Sequence, residues 1–154
     1  MYLEIILISM AIILSLYVFL QAKNKQKKAR VQQEAVALLK SFGSVIEEAG
    51  RTLFETKRGI YKVLFYHIPL NAELTINSKI KWEIRLMGRS TLVDMSRFLS
   101  GPEAKLVIVF PITQPIKRYI NENEMTFVKA EDRFHNMHVV RLFELRSMLE
   151  EHVL

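Results

Sequence analysis

The hydrophobic pattern along the chain changes character three times. From Ile5 to Ala22 there is no charged side chain, and the run IILISMAIILSLYVFL is apolar on every side of a helix. Eighteen uncharged residues at 1.5 Å each span about 27 Å, close to the hydrocarbon thickness of a bilayer. A buried helix of a soluble domain carries a polar face, which this stretch lacks. The segment KNKQKKAR follows at once, with Lys23, Lys25, Lys27, Lys28 and Arg30 and no acid. Residues 1–22 therefore read as a transmembrane anchor and 23–30 as a basic juxtamembrane stem. A cleavable signal has the opposite order, with basic residues before its apolar core and a small-residue cleavage site after it. Lys and Arg stay on the cytoplasmic side of a span. The reading is thus a single-pass cell-membrane protein, N-terminus and Glu4 outside, with a cytoplasmic domain over residues 31–154.

The second regime has a helical period. Val31, Ala35, Leu38, Leu39, Phe42, Ile46 and Ala49 share one face, which predicts an amphipathic helix over 31–49 stopped by Gly50. With no Pro or Gly in the stem, the helix is expected to continue from the anchor as a stiff spacer.

After Arg51 the period becomes two. A short strand at Leu53–Phe54, a turn at Lys57-Arg58-Gly59 and a strand over 60–68 (IYKVLFYHI) are predicted. A strand over 72–76, a turn at Asn77-Ser78 and a strand over 79–87 follow. In the last of these Ile80, Trp82, Ile84 and Leu86 alternate with Lys79, Lys81, Glu83 and Arg85. Helices are expected over 92–99 and 114–122, and a last one over 139–151. Between them KLVIVFP (105–111) reads as a strand buried on both faces, and Phe127-Val128 as a short strand. The sum is an α/β or α+β domain with a central mixed sheet flanked by helices.

Charge changes this picture less than the net +6 suggests. Residues 31–154 hold 17 Lys or Arg against 15 Asp or Glu, so the stem supplies most of the excess. Basicity near a span suits anionic headgroups. Within the domain only Arg51–Arg89 has a basic surplus, eight against three, and a nucleic-acid footprint would lie there. The chain has no cysteine, which excludes thiol catalysis and thiolate metal sites and fits a reducing compartment. Neither a phosphate-binding glycine loop nor a GxSxG elbow occurs, and no small-molecule cofactor is evident. His135 and His138 stand three apart in FHNMH, a segment that reads as a solvated loop entering the last helix. Tyr61, Phe65 and Tyr66 read as core residues before base-stacking ones, and Lys117-Arg118 as an exposed helix face.

Chemistry is concentrated around Trp82. Glu83 and Arg85 project from one face of a strand, Glu73 lies on the strand before, and Glu34 on the first helix is a further carboxylate. Metal-dependent phosphodiester cleavage needs carboxylates that hold a divalent ion and a basic group beside them. With its glutamate-bearing helix QEAVALLKSFG, a meander of strands, WEIR and then KLVIVFP, the stretch 31–112 resembles the restriction-endonuclease-like, or PD-(D/E)xK, superfamily, which includes the archaeal Holliday-junction resolvases. The resemblance implies a Mg²⁺-dependent nuclease, with Glu73, Glu83 and Arg85 as catalytic residues and Glu34, Glu73 and Glu83 as metal ligands. Arg85 stands where that family has lysine and there is no PD dipeptide, so a degenerate, non-catalytic version fits equally. The expectation set against it is a binding or scaffolding module at the membrane, with a protein partner or a second copy of itself. Whether the domain is an enzyme stays open on these residues.

Overall fold

The computed structural model describes residues 2–154, with side chains from Ile5 onward; the side chain of Glu4, part of the orientation argument, lies outside the described residues. The chain divides into two compact units, one ending at Ala35 and one running from Val36 to Leu154.

The first unit is helical throughout. It belongs to α1 (Tyr2–Lys40), which contains a stretch with a mean hydropathy of 2.4 and no burial, long and apolar enough to cross a membrane. Large apolar side chains from Ile5 to Leu20 are 50–67 % exposed. That much contiguous apolar surface has no counterpart on water-facing helices.

In the second unit α1 ends at Lys40, nine residues before the position its apolar spacing predicts. Ser41 Oγ and N both bond the Leu38 carbonyl (2.7 and 3.1 Å), and the Gly43 N–H bonds that of Leu39 (3.1 Å). Gly43 then lies against the next hairpin, where an added Cβ would be 2.3 Å from the Glu55 carbonyl oxygen. Residues 44–48, expected as helix, are β1 (Ser44–Glu48), paired with β2 (Arg51–Thr56). Val45 and Ile46 are β-branched and suit a strand, and the cross-strand pairs Val45–Phe54 and Ile46–Leu53 override a helical spacing. Ala49 and Gly50 are both left-handed (φ 48° and 73°), so Gly50 makes a hairpin turn in place of a helix stop.

Sheet A has the order β1-β2-β3-β7-β10. β3 (Gly59–Ile68) follows the expected Lys57-Arg58 turn, and β7 (Ala104–Pro111) lies parallel to both β3 and β10 (Met137–Arg141). Lys105 to Phe110 are all buried, as the uninterrupted apolar run predicts. Lys105 stays buried because its ammonium donates to the carbonyls of Gly101 (3.1 Å) and Glu103 and lies 3.6 Å from the Glu103 carboxylate.

Sheet B, ordered β6-β5-β4-β8-β9, corrects the expectation of a single central sheet flanked by helices. The domain is α+β with two mixed five-stranded sheets. β4 (Glu73–Ile76), β5 (Lys81–Leu86) and β6 (Arg89–Asp94) are an excursion between β3 and β7. β8 (Lys117–Asn121) and β9 (Glu124–Phe127) are a second excursion between β7 and β10. Of the helix expected over 92–99, residues 92–94 end β6 and the second half is α2 (Ser96–Leu99), its Ser96 N–H held by Asp94 (2.8 Å). The helix expected over 114–122 is β8, whose Tyr119 and Ile120 suit a strand. The last helix, α3 (Leu142–Glu150), begins three residues later than expected, because Val139 and Val140 are both buried in β10.

The body is thus layered. Val107, Val109, Met137 and Val139 of sheet A pack against Leu74, Ile76, Trp82 and Ile116, most of them on sheet B. On the other face Leu106, Ile108 and Val140 pack with Leu39 of α1 and with Leu145, Met148 and Leu149 of α3.

Candidate functional site

Sheet B has one buried face and one open face, and the sequence-predicted site residues stand on the open one. Alternation along β5 sends Trp82 fully into the core and turns Lys81, Glu83 and Arg85 outward. Register with β4 places Glu73 directly opposite Arg85 and Thr75 opposite Glu83. Register with β6 places Ser90 beside Arg85, and parallel pairing with β8 places Lys117 beside Thr75. The fold thus brings Glu73, Glu83 and Arg85 onto one surface, as the i, i+2 argument predicts.

Their charges are satisfied locally. Glu83 Oε1 accepts from the Ser90 hydroxyl (2.6 Å) and the Arg85 guanidinium (3.1 Å). The Ser90 bond is the largest reason the Glu83 carboxyl is held below its ordinary value; burial opposes the shift, and Arg85 and Asn77 add to it. A carboxylate so held stays ionised near neutrality and is a weak proton acceptor. Its remaining uses are as an anionic anchor or a cation ligand. Glu73 forms an ion pair with Lys117 (3.4 Å), a partner that the expected helix over 114–122 could not supply. Glu34, in the N-terminal unit, pairs with Arg30 at 3.1 Å on an exposed face. Among the described residues no group of three or more His, Asp or Glu side chains is placed to hold a metal ion.

The segments that carry the endonuclease resemblance are divided between the sheets. WEIR is in sheet B and KLVIVFP in sheet A, while QEAVALLKSFG is helical only to Lys40.

The histidines are structural in their surroundings. His135 and Asn136 are left-handed (φ 51° and 59°) and make the tight turn bridging Phe134 and Met137. His138 is buried in β10 with its ring edge-on to Tyr61, and its Nδ1 has no hydrogen-bond partner. Burial, then the nearby Arg133 charge, holds it below its ordinary value; the Ala130 and Asp132 backbone opposes this. Tyr61 is core, as expected, and the half-buried Tyr66 packs edge-on to Trp82. Lys117 and Arg118 are on a strand, not a helix face, and Arg118 lies over the Phe134 ring (4.4 Å).

The surface aromatics were not singled out by sequence reasoning: Tyr119, Phe127 and Phe143 are 44, 59 and 60 % exposed. Strand register is the signal that finds two of them, since Tyr119 opposes Met125 and Lys117 opposes Phe127 on the same face. A cleft of about 630 Å³ beside Phe127 and Phe143 is lined by Lys129, Arg141 and Glu144 among others. Arg141 is occupied there by Glu144 and by the Thr113 carbonyl (2.7 Å). No family model matches the chain, and no curated protein or solved structure is significantly similar to it.

Proposed function

We propose that the chain is a single-pass membrane protein whose C-terminal body is a cytoplasmic binding or scaffolding module. The observation that carries this is the uncovered apolar helix from Ile5 to Leu20, followed directly by Lys23, Lys25, Lys27, Lys28 and Arg30. Such a helix is stable in hydrocarbon, and the cations fix its orientation and suit anionic headgroups. The body supports the module reading by what its open face offers. Glu73, Glu83, Arg85 and Lys117 are paired with one another, while Tyr119, Met125 and Phe127 remain exposed beside them. Apolar side chains rimmed by satisfied charges form the usual anatomy of a protein-binding surface.

The full chain should resist alkaline extraction from membranes and be released by detergent. A reporter fused after Leu154 should be active only in the cytoplasm. Release at high pH, or activity of the reporter outside, would refute the anchor or its direction respectively.

The second reading is a restriction-endonuclease-like domain held at the membrane, favoured by Glu83 and Arg85 side by side with Glu73 opposite. Its test is salt-dependent retention of the detergent-solubilised chain on DNA, with and without Mg²⁺. Mg²⁺-dependent cleavage that Glu83→Gln abolishes while binding persists would replace the module reading with this one; no retention at low salt removes it.

A further inference from the structure

One residue of sheet B is placed at a cost that nothing in the chain offsets. β5 and β6 are joined by the two-residue turn Met87-Gly88, both left-handed (φ 49° and 77°). Such turns favour Asn or Gly at the first position, because a Cβ there meets the following carbonyl. Here the position holds a long apolar side chain, and it is 94 % exposed, the most exposed large hydrophobic side chain among the described residues. Met87 therefore tolerates backbone strain while burying nothing.

The surroundings say what would cover it. With Lys79 just before it, the hairpin carries Lys79, Lys81, Arg85 and Arg89 against two carboxylates, Glu83 and, at its base opposite Lys81, Asp94. The Glu83 carboxylate is already held by Ser90 and Arg85. All four cations are exposed, and Leu92, 66 % exposed, adds a second apolar side chain on the same strands. These four belong to the Arg51–Arg89 stretch, which holds eight basic residues against three acidic ones. An apolar tip with a cationic collar matches the lipid interface, where Met enters the acyl boundary and Arg or Lys stays at the phosphates. Its charge is of the wrong sign for a basic partner, and two apolar side chains are too few for a stable protein interface.

We infer that the β5–β6 hairpin is a second membrane contact, which inserts Met87 between anionic headgroups bound by Arg89. The inference rests on the membrane-anchor reading for its setting.

Because the chain has no cysteine, single labels are clean. Full-length Met87→Cys and, separately, Ile12→Cys are labelled with an environment-sensitive fluorophore. Each is reconstituted into phosphatidylcholine vesicles with or without phosphatidylglycerol. Position 12 should report an apolar environment in both lipids. Position 87 should shift to the blue only with phosphatidylglycerol. Arg89→Gln in the Met87→Cys chain should weaken docking about fivefold, the loss expected for one basic residue at an anionic surface. Salt of about 1 M, where screening acts over about 3 Å, should release the hairpin but not the anchor. A water-like signal at position 87 in anionic vesicles overturns the inference, as does an equal shift in neutral ones. A water-like signal at position 12 overturns the anchor reading instead; position 87 still decides docking by its own response to added anionic vesicles. Leu92→Cys serves as a second reporter if the turn variant misfolds.

Discussion

The two sheets of the body divide stability from display. Sheet A is covered on both faces at β7, an interior strand whose Leu106, Val107, Ile108 and Val109 are fully buried. Sheet B is covered on one face only, so its strands alternate: Trp82 inward, Glu83 and Arg85 outward. A strand buried twice has no position free for chemistry, because every side chain is committed to packing. A strand buried once offers every second residue to solvent at little cost to the fold. The difference leaves the outer face and hairpin tips of sheet B open to solvent, with sheet A packed behind it.

The largest test of this division is truncation of inward against outward residues. Trp82→Ala should cost about 3–5 kcal/mol and Ile108→Ala about 2–5 kcal/mol, the range for large core truncations. Trp82 should fall toward the low end, since its indole N–H is buried without a hydrogen-bond partner and its loss relieves that cost. Arg85→Ala, on the same strand as Trp82, should cost less than about 1 kcal/mol. Urea unfolding of the full chain in detergent measures all three. Equal losses from Arg85 and Trp82 would mean that sheet B is not one-sided.

A smaller effect is expected at the seam between α1 and β1. The Cβ of Gly43→Ala would meet the backbone oxygen of Glu55 at 2.3 Å and the Phe54 ring at 2.9 Å. Backbone cannot move aside as a flexible side chain does, so the substitution should cost about 1–3 kcal/mol. Ser44→Ala, exposed next to it, should be nearly silent in the same assay.

That seam also shows where the sequence was legible. Strands 60–68, 72–76 and 79–87 and the buried run 105–111 were readable because their alternation or continuity reflects burial on one face or two. Residues 44–48, 89–94, 117–121 and 137–141 were not. In each, a helical spacing of apolar residues coexisted with β-branched or aromatic side chains, and partners distant in sequence decided between them. Lys117 pairs with Thr75 and Val139 with Val107; no window of a dozen residues contains such pairs. The meeting of Glu73, Glu83 and Arg85 was legible from i, i+2 geometry on neighbouring strands. Of the partners that fix their charges, Lys117 was hidden by the helix misread over 114–122, and Ser90 reaches Glu83 only through the β5–β6 strand pairing, which was not foreseen.

Acid should separate the sheets again. His138 lies in sheet A, and its folded value is held below the ordinary 6.5, chiefly by burial. Below about pH 6.5 the unfolded chain takes up this proton while the folded chain resists it. Stability is therefore full above that pH and falls as pH drops toward the lowered folded value. The slope has a ceiling of about 1.4 kcal/mol per pH unit for one proton. His135, lowered by burial and by Arg118 and Lys79, acts in the same direction. His138→Phe should flatten the dependence of the melting temperature between pH 7 and 5. An unaltered pH profile in the His138 variant would place the titrating group elsewhere.

On the outer face, ion pairs should contribute little. A double-mutant cycle on Glu73→Gln and Lys117→Met should return a coupling of about 0.2–1 kcal/mol, reduced by salt, because both groups are partly exposed. A coupling above that range would make the pair part of the fold and remove it from the surface available for recognition.

The smallest expected effect has the opposite sign, and it bears most directly on what sheet B is for. The substitutions at Trp82, Ile108 and Gly43 each remove something the fold uses. Met87→Asn should raise stability by about 0.5 kcal/mol, because Asn tolerates the left-handed backbone that Met87 now occupies at φ 49°. Nothing is lost in exchange, since a side chain 94 % exposed makes no packing contribution to recover. A gain in urea midpoint in detergent, together with weaker hairpin docking on phosphatidylglycerol vesicles, would mean that the residue is kept at the expense of the fold for a contact outside it. A loss of stability would mean that Met87 packs on its own domain, and the display face of sheet B would then end at Leu92.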